Sequence, residues 1–145
     1  MILTRVALFL LLATHCLAAD SEPYLKSAPM PFYPRVARLA RLSAQVKLNF
    51  FVDQNGNTSE IEAEVKTDAP NGAGFLRDDA IKNVRGWKFA RPQPCSCRTK
   101  REAVFIYQFS GQLESPERPN VTVRWFGKTR MIRVEIEGDL IEHSD

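Results

Sequence analysis

The chain has 145 residues, 44% of them hydrophobic, with 20 basic and 17 acidic side chains, enough for one domain with a single modest core and too little for two. Charge this close to balance argues against nucleic acid as the main partner, since that role demands a clear basic excess.

Arg5 is followed by an apolar run from Val6 to Leu12 and then by small residues, the pattern of a secretion signal over residues 1–19 with cleavage after Ala18 or Ala19. The apolar segment from Val6 to Ala19 is fourteen residues long and is broken by His15, whereas spanning a bilayer takes roughly 20. A cleaved signal is therefore expected rather than an anchor. Cleavage would leave 19 basic against 17 acidic side chains and would remove Cys16, so that Cys95 and Cys97 remain, spaced Cys-Ser-Cys. In an exported chain that spacing fits a strained local disulfide, an unpaired or intermolecular thiol pair, or part of a soft-metal site.

Residues 20–31, with Pro23, Pro29 and Pro31, read as an extended lead-in. In "FYPRVARLAR" Pro34 is placed as the first residue of a short helix, where its missing N–H costs nothing. Val36, Leu39, Ala40 and Leu42 would form the apolar side, and Arg35, Arg38 and Arg41 a basic row. "QVKLNFFVD" alternates Val46, Leu48, Phe50 and Val52 with polar positions, as a strand with one buried face does. Asn55-Gly56 predicts a type I′ hairpin turn, and the return strand puts Ile61, Ala63 and Val65 inward and Glu60, Glu62 and Glu64 outward. "FLRDDAIKNVRGW" reads as a helix lined by Leu76, Ala80, Val84 and Trp87, with Asp78 and Asp79 near its positive end and Gly86 loosening its last turn. "EAVFIYQFSG" is apolar on both sides and is expected at the centre of a sheet. A second hairpin turns around Lys128-Thr129, with Val121, Val123 and Trp125 facing the core from one strand and Ile132, Val134 and Ile136 from the other; residues 139–145 read as a tail. Tight turns imply an antiparallel sheet with the two short helices on one face, an α+β fold.

The residues of a reaction are not in evidence. His143 is the only histidine beyond the expected signal, and Gly-x-Ser-x-Gly, a glycine-rich phosphate loop and His-Glu-x-x-His do not occur. The reading is therefore of a protein that is not an enzyme, with neither cofactor nor metal. The arginine row and the group Arg98, Lys100 and Arg101 fit an acidic partner or lipid phosphates, or simply solvated faces. Asn57-Thr58-Ser59 and Asn120-Val121-Thr122 are glycosylation sequons, which matter only in a eukaryote.

"YPRVARLARLSAQVKLNFFVDQNGN" followed by "LRDDAIKNVRGWKFARP" resembles the TonB C-terminal domain, the periplasmic module of the TonB energy transducers. The resemblance covers roughly residues 29 to 110, and residues 32–138 are taken as the domain, with the second hairpin as an addition. Two positions depart from the family pattern: Ala44-Gln45 stands where a glycine is usual, and one extra residue separates Phe89 from Pro92. The resemblance implies a non-catalytic module that binds an extended segment of an outer-membrane receptor, or of another envelope protein, by strand addition. The docking edge is then expected on the third strand, Ala103 to Phe109, including Phe105 and Tyr107, or on the added hairpin. Tyr33, Pro34, Arg35 and Arg38 would form its rim, unless Tyr33 and Pro34 merely staple the helix to the sheet. Once cleaved, such a chain would be exported, free of any membrane span, and periplasmic. Two other roles remain open: a membrane-anchored transducer in outer-membrane transport, and a thiol redox or copper-handling protein using Cys95 and Cys97.

Overall fold

In chain order the elements are β1 (Tyr24–Ser27), α1 (Arg35–Leu39), β2 (Ala44–Val52), β3 (Thr58–Lys66), α2 (Ala73–Arg85), β4 (Lys88–Ala90), β5 (Thr99–Leu113), β6 (Val121–Phe126) and β7 (Met131–Leu140). The computed structural model describes residues 22–142 apart from Cys95 and Arg118. The expected signal at 1–19, Cys95 and His143 lie outside the described residues.

Alternation builds the main sheet. Val46, Leu48, Phe50 and Val52 are all buried on one face of β2, and in β3 the inward residues Ile61, Ala63 and Val65 pack against the same core while Glu60, Glu62 and Glu64 are exposed. Leu76, Ala80, Val84 and Trp87 close that core from α2. Both helices cover this one face, α2 over β2 and β3 and α1 over β7, which is the expected α+β arrangement.

The sheet is mixed rather than antiparallel throughout. Its order is β3-β2-β5-β7-β6, with β5 and β7 parallel and all other neighbours antiparallel. A parallel pair needs a crossover, and here β6 supplies it by passing one position beyond β5, so that β7 returns into the gap. The expected exposed edge on β5 is therefore absent, because β2 and β7 bond it on both sides.

Four local expectations also change. The lead-in contains β1, which pairs with β4 as a separate two-stranded ribbon, and the expected tail continues β7 through Asp139 and Leu140, with Ile141 buried behind them. In α1 the buried residues are Ala37 and Arg38, while Val36 and Ala40 are exposed. Five residues are too few for a periodicity to outweigh the way Tyr33 orients the chain. Finally, the Asn55-Gly56 turn is not type I′, since Gly56 alone in that turn has a positive φ, of 80°. The Asp53 carboxylate accepts the N–H groups of Asn55 and Asn57 at 2.8 and 2.9 Å, which holds a type I turn followed by a left-handed glycine. These bonds keep the Asp53 carboxyl below its usual range.

That glycine also touches the ribbon: its C=O accepts the Phe89 N–H at 2.9 Å, and a Cβ at position 56 would lie 2.0 Å from the Phe89 oxygen. Gly56→Ala is expected to cost about 1–3 kcal/mol for the left-handed backbone, with displacement of β4 in addition. A lowered urea midpoint at unchanged slope checks this.

Candidate functional site

Among the described residues, two strand edges of the five-stranded sheet are unpaired, on β3 and β6. The β3 edge carries the devices that discourage pairing. Glu60 has a φ of 50° and forms a bulge where the register with β2 shifts between Asn49 and Phe51, and Glu60, Glu62 and Glu64 are all exposed.

β6 has neither a bulge nor a left-handed residue, and its one charged side chain, Arg124, is paired with Glu135 and Glu137 of β7 at 3.2 and 3.0 Å. Asn120 C=O accepts the Asp139 N–H at 2.9 Å just before the strand begins. In an antiparallel ladder bonded and non-bonded pairs alternate, so the peptide groups of Val121, Val123 and Trp125 point away from β7, toward the free edge. The side chains of these three residues continue the core face but are only half-buried, because α1 and α2 lie over other strands. Trp125 stands 5.8 Å from the Trp87 ring. Beside it a groove of about 230 Å³ runs between β1 and the β6–β7 turn, lined by Leu25, Ala28, Met30, Trp125 and Lys128 among others. The groove keeps its shape because Leu25 N–H donates to Lys128 C=O at 2.8 Å.

The residues expected at the rim lie elsewhere. Tyr33 is fully buried, donates its hydroxyl to Leu42 C=O at 2.9 Å and meets Tyr107 edge-on at 5.4 Å. Burial pushes its hydroxyl pKa up to about 12. The ring rests on Gly138 of β7, where a Cβ would come within 2.7 Å of it. Pro34 is half-buried at the start of α1. Arg35 is exposed and pairs with Glu114 at 3.5 Å. Arg38, expected in a basic row on the surface, is buried and donates through Nη1 to Glu114 at 3.4 Å and to Asp139 C=O at 3.3 Å. These four residues therefore come together as the seat of α1 on the C-terminal end of β7 and do not frame an open edge.

Phe105 and Tyr107 are likewise corrected from edge to core, both buried on the helix-facing side of β5. Tyr107 donates its hydroxyl to Asp79 Oδ2 at 2.8 Å, so Asp79 serves a partner across the core rather than the helix end. Burial, followed by the Asp79 charge, raises the Tyr107 hydroxyl pKa, and burial raises the Asp79 carboxyl above its ordinary 3.8. Between the ordinary and the raised value the native state holds more protons than the unfolded one, so this group makes stability fall as pH rises through that window. Asp79→Asn keeps an acceptor for Tyr107 and should remove the slope. Urea midpoints of the two proteins compared from about pH 4 upward test this, and parallel curves would sink it.

Cys97 is exposed and disulfide-bonded, which withdraws its thiolate from metal binding in this form, and its expected neighbour Cys95 lies outside the described residues. Among the described residues no group of three or more His, Cys, Asp or Glu is placed to hold a metal ion, and no helix is long and apolar enough to cross a membrane. Sequence reading named the added hairpin as one of two possible edges but did not single out its first strand, β6, although the pattern Val121, Val123, Trp125 was visible. Its free side follows only from β7 taking the place next to β5.

None of the curated proteins matches the chain. One similar solved structure is the solution NMR structure of the Pseudomonas aeruginosa TonB C-terminal domain, at 19% identity and a TM-score of 0.48, over 70% of this chain and 95% of that chain. Residues 29–107, more than half of the chain, match the family described as Gram-negative bacterial TonB protein C-terminal, and the chain belongs to that family.

Proposed function

We propose that this protein is a non-catalytic, periplasmic binding module that takes an extended segment of an envelope protein, such as an outer-membrane receptor, as an added strand along β6. The observation that carries this reading is the β6 edge itself. Three outward peptide groups, of Val121, Val123 and Trp125, stand beside half-buried apolar side chains that an added strand would cover. Main-chain bonds supply affinity in this mode with little demand on sequence, and the side-chain row supplies selectivity. Family membership supports the class of partner, and the bonding of β5 on both sides favours the added hairpin, the second of the two edges that the resemblance implied.

The test uses short peptides from the periplasmic segments of outer-membrane receptors, titrated into the protein while backbone amides are followed by NMR. Shifts should concentrate at Val121, Val123 and Trp125. Val123→Pro removes an outward N–H without touching the bonds to β7, a position an edge strand tolerates. Binding should weaken at least about tenfold, or 1.4 kcal/mol, with the fold retained. Shifts along β3 instead, or binding unchanged by the proline, would reject the β6 edge.

A further inference from the structure

At the end of the sheet where β5 and β7 begin, a cleft of about 310 Å³ is lined by Glu22, Lys100, Arg101, Glu102, Arg130 and Met131. Arg101 is the unusual member. It lies on the core face of β5, in line with Ala103 and Phe105 and opposite Phe50, and only 4% of it is exposed. Nη1 donates to Lys100 C=O at 2.9 Å, whereas Nε and Nη2 have no hydrogen-bond partner among the described residues. A buried guanidinium left in this state is unfavourable unless something satisfies it.

The two carboxylates at the cleft are engaged elsewhere, Glu22 with Arg130 at 2.9 Å and Glu102 with Lys47 at 3.6 Å. Burial lowers the proton affinity of Arg101, opposed by the charge of Glu22 and aided to a smaller extent by Arg91 and Arg130. With Glu22 on Arg130 and Glu102 on Lys47, neither Lys100 nor Arg101 is matched by a carboxylate at the lining, so positive charge is in excess there. Nε and Nη2 lie on the same side of a guanidinium and form the fork that accepts a planar carboxylate through two parallel bonds. The Glu22–Arg130 pair lies at the same cleft, and its arginine is 81% exposed. Surface pairs of this kind are weak and open readily.

We propose that this cleft binds a single carboxylate of a partner peptide, seated side-on against Nε and Nη2 of Arg101 with Lys100 and Arg130 at the rim. A planar carboxylate fits the Nε–Nη2 fork, while a phosphate dianion would bring more negative charge against Glu22 and Glu102. That the carboxylate comes from a peptide rests on the strand-addition reading; the anion chemistry of the cleft does not.

The experiment follows the arginine Nε–H resonances and the thermal midpoint of the full chain while three probes are added: a short capped peptide with one Glu, the same peptide with Gln, and inorganic phosphate. The Glu peptide should shift the Arg101 and Arg130 signals and raise the midpoint, and the Gln peptide should bind at least about tenfold more weakly. Arg101→Met should melt higher than wild type without any ligand, because an uncompensated buried charge has gone, and should lose the response to the Glu peptide. If that variant does not fold, the wild-type arginine signals decide. A still Arg101 signal, or a variant that responds as wild type does, overturns the proposal, and tighter binding of phosphate than of the Glu peptide overturns its carboxylate form. Amide shifts along β6 with Arg101 unmoved would sink the cleft and leave the strand-addition reading standing. An Arg101 response with β6 unmoved would do the reverse.

Discussion

Trp87→Ala is expected to leave the protein unfolded or close to it at room temperature. The ring is fully buried and lies within 6.2 Å of four others, edge-on to Phe50, stacked on Phe105 and tilted against Phe89 and Trp125. It thus joins the helix-facing sheet, the β1–β4 ribbon and the added hairpin in one contact. Its Nε1 donates to Asn83 Oδ1 at 2.7 Å, and Asn83 Nδ2 donates in turn to Pro29 C=O at 3.0 Å, tying α2 to the lead-in. Truncation of a buried tryptophan costs about 3–5 kcal/mol, and an orphaned amide oxygen adds about 1–3 kcal/mol. Small domains have about 5–15 kcal/mol in total. Urea titration followed by far-UV circular dichroism measures the loss, and a value under about 2 kcal/mol would show that the core collapses around the gap. Trp87→Phe should lie between, since it keeps most of the buried area but leaves Asn83 without its donor.

The same residue shows which parts of the fold can be read from the sequence. The stripe Leu76, Ala80, Val84, Trp87 and the alternation of β2 are legible because one buried face imposes a period, and periods are local. β1 and β4 have four and three residues, too short for any period, and they form only because each finds the other. The burial of Arg38 and Arg101 is equally invisible: a charge in sequence reads as solvated, and it is tertiary packing, through Gly138 for Arg38 and the β1–β4 end for Arg101, that encloses it. Asn55-Gly56 was legible as a turn but not as its type, which the Asp53 carboxylate decides. Of the two expected docking edges, the third strand or the added hairpin, the third strand proves internal to the sheet for a topological reason. The family match ends at Tyr107, and nothing in the spacing of the hairpin beyond it shows that its second strand, rather than its first, lies against β5.

Ending the chain at Leu113, and so removing β6 and β7, is expected to abolish cooperative folding of the monomer. Ile132, Val134 and Ile136 are each fully buried, and burying such a side chain contributes about 1.5–3 kcal/mol. Their loss alone approaches the whole stability of a small domain, about 5–15 kcal/mol. It also takes away the Gly138 seat of Tyr33 and both partners of Arg38, Glu114 and the Asp139 carbonyl. What remains would expose the hydrogen-bonding groups along one side of β5, an apolar strand on both faces, and exposed edges of that kind pair with other chains. The expected result is therefore a broad, non-cooperative melt together with oligomers on gel filtration. A truncated chain that stayed monomeric with a dispersed NMR spectrum would show that the family core stands without the hairpin. β5 would then be an available edge, and the site proposed on β6 would have to be tested there first.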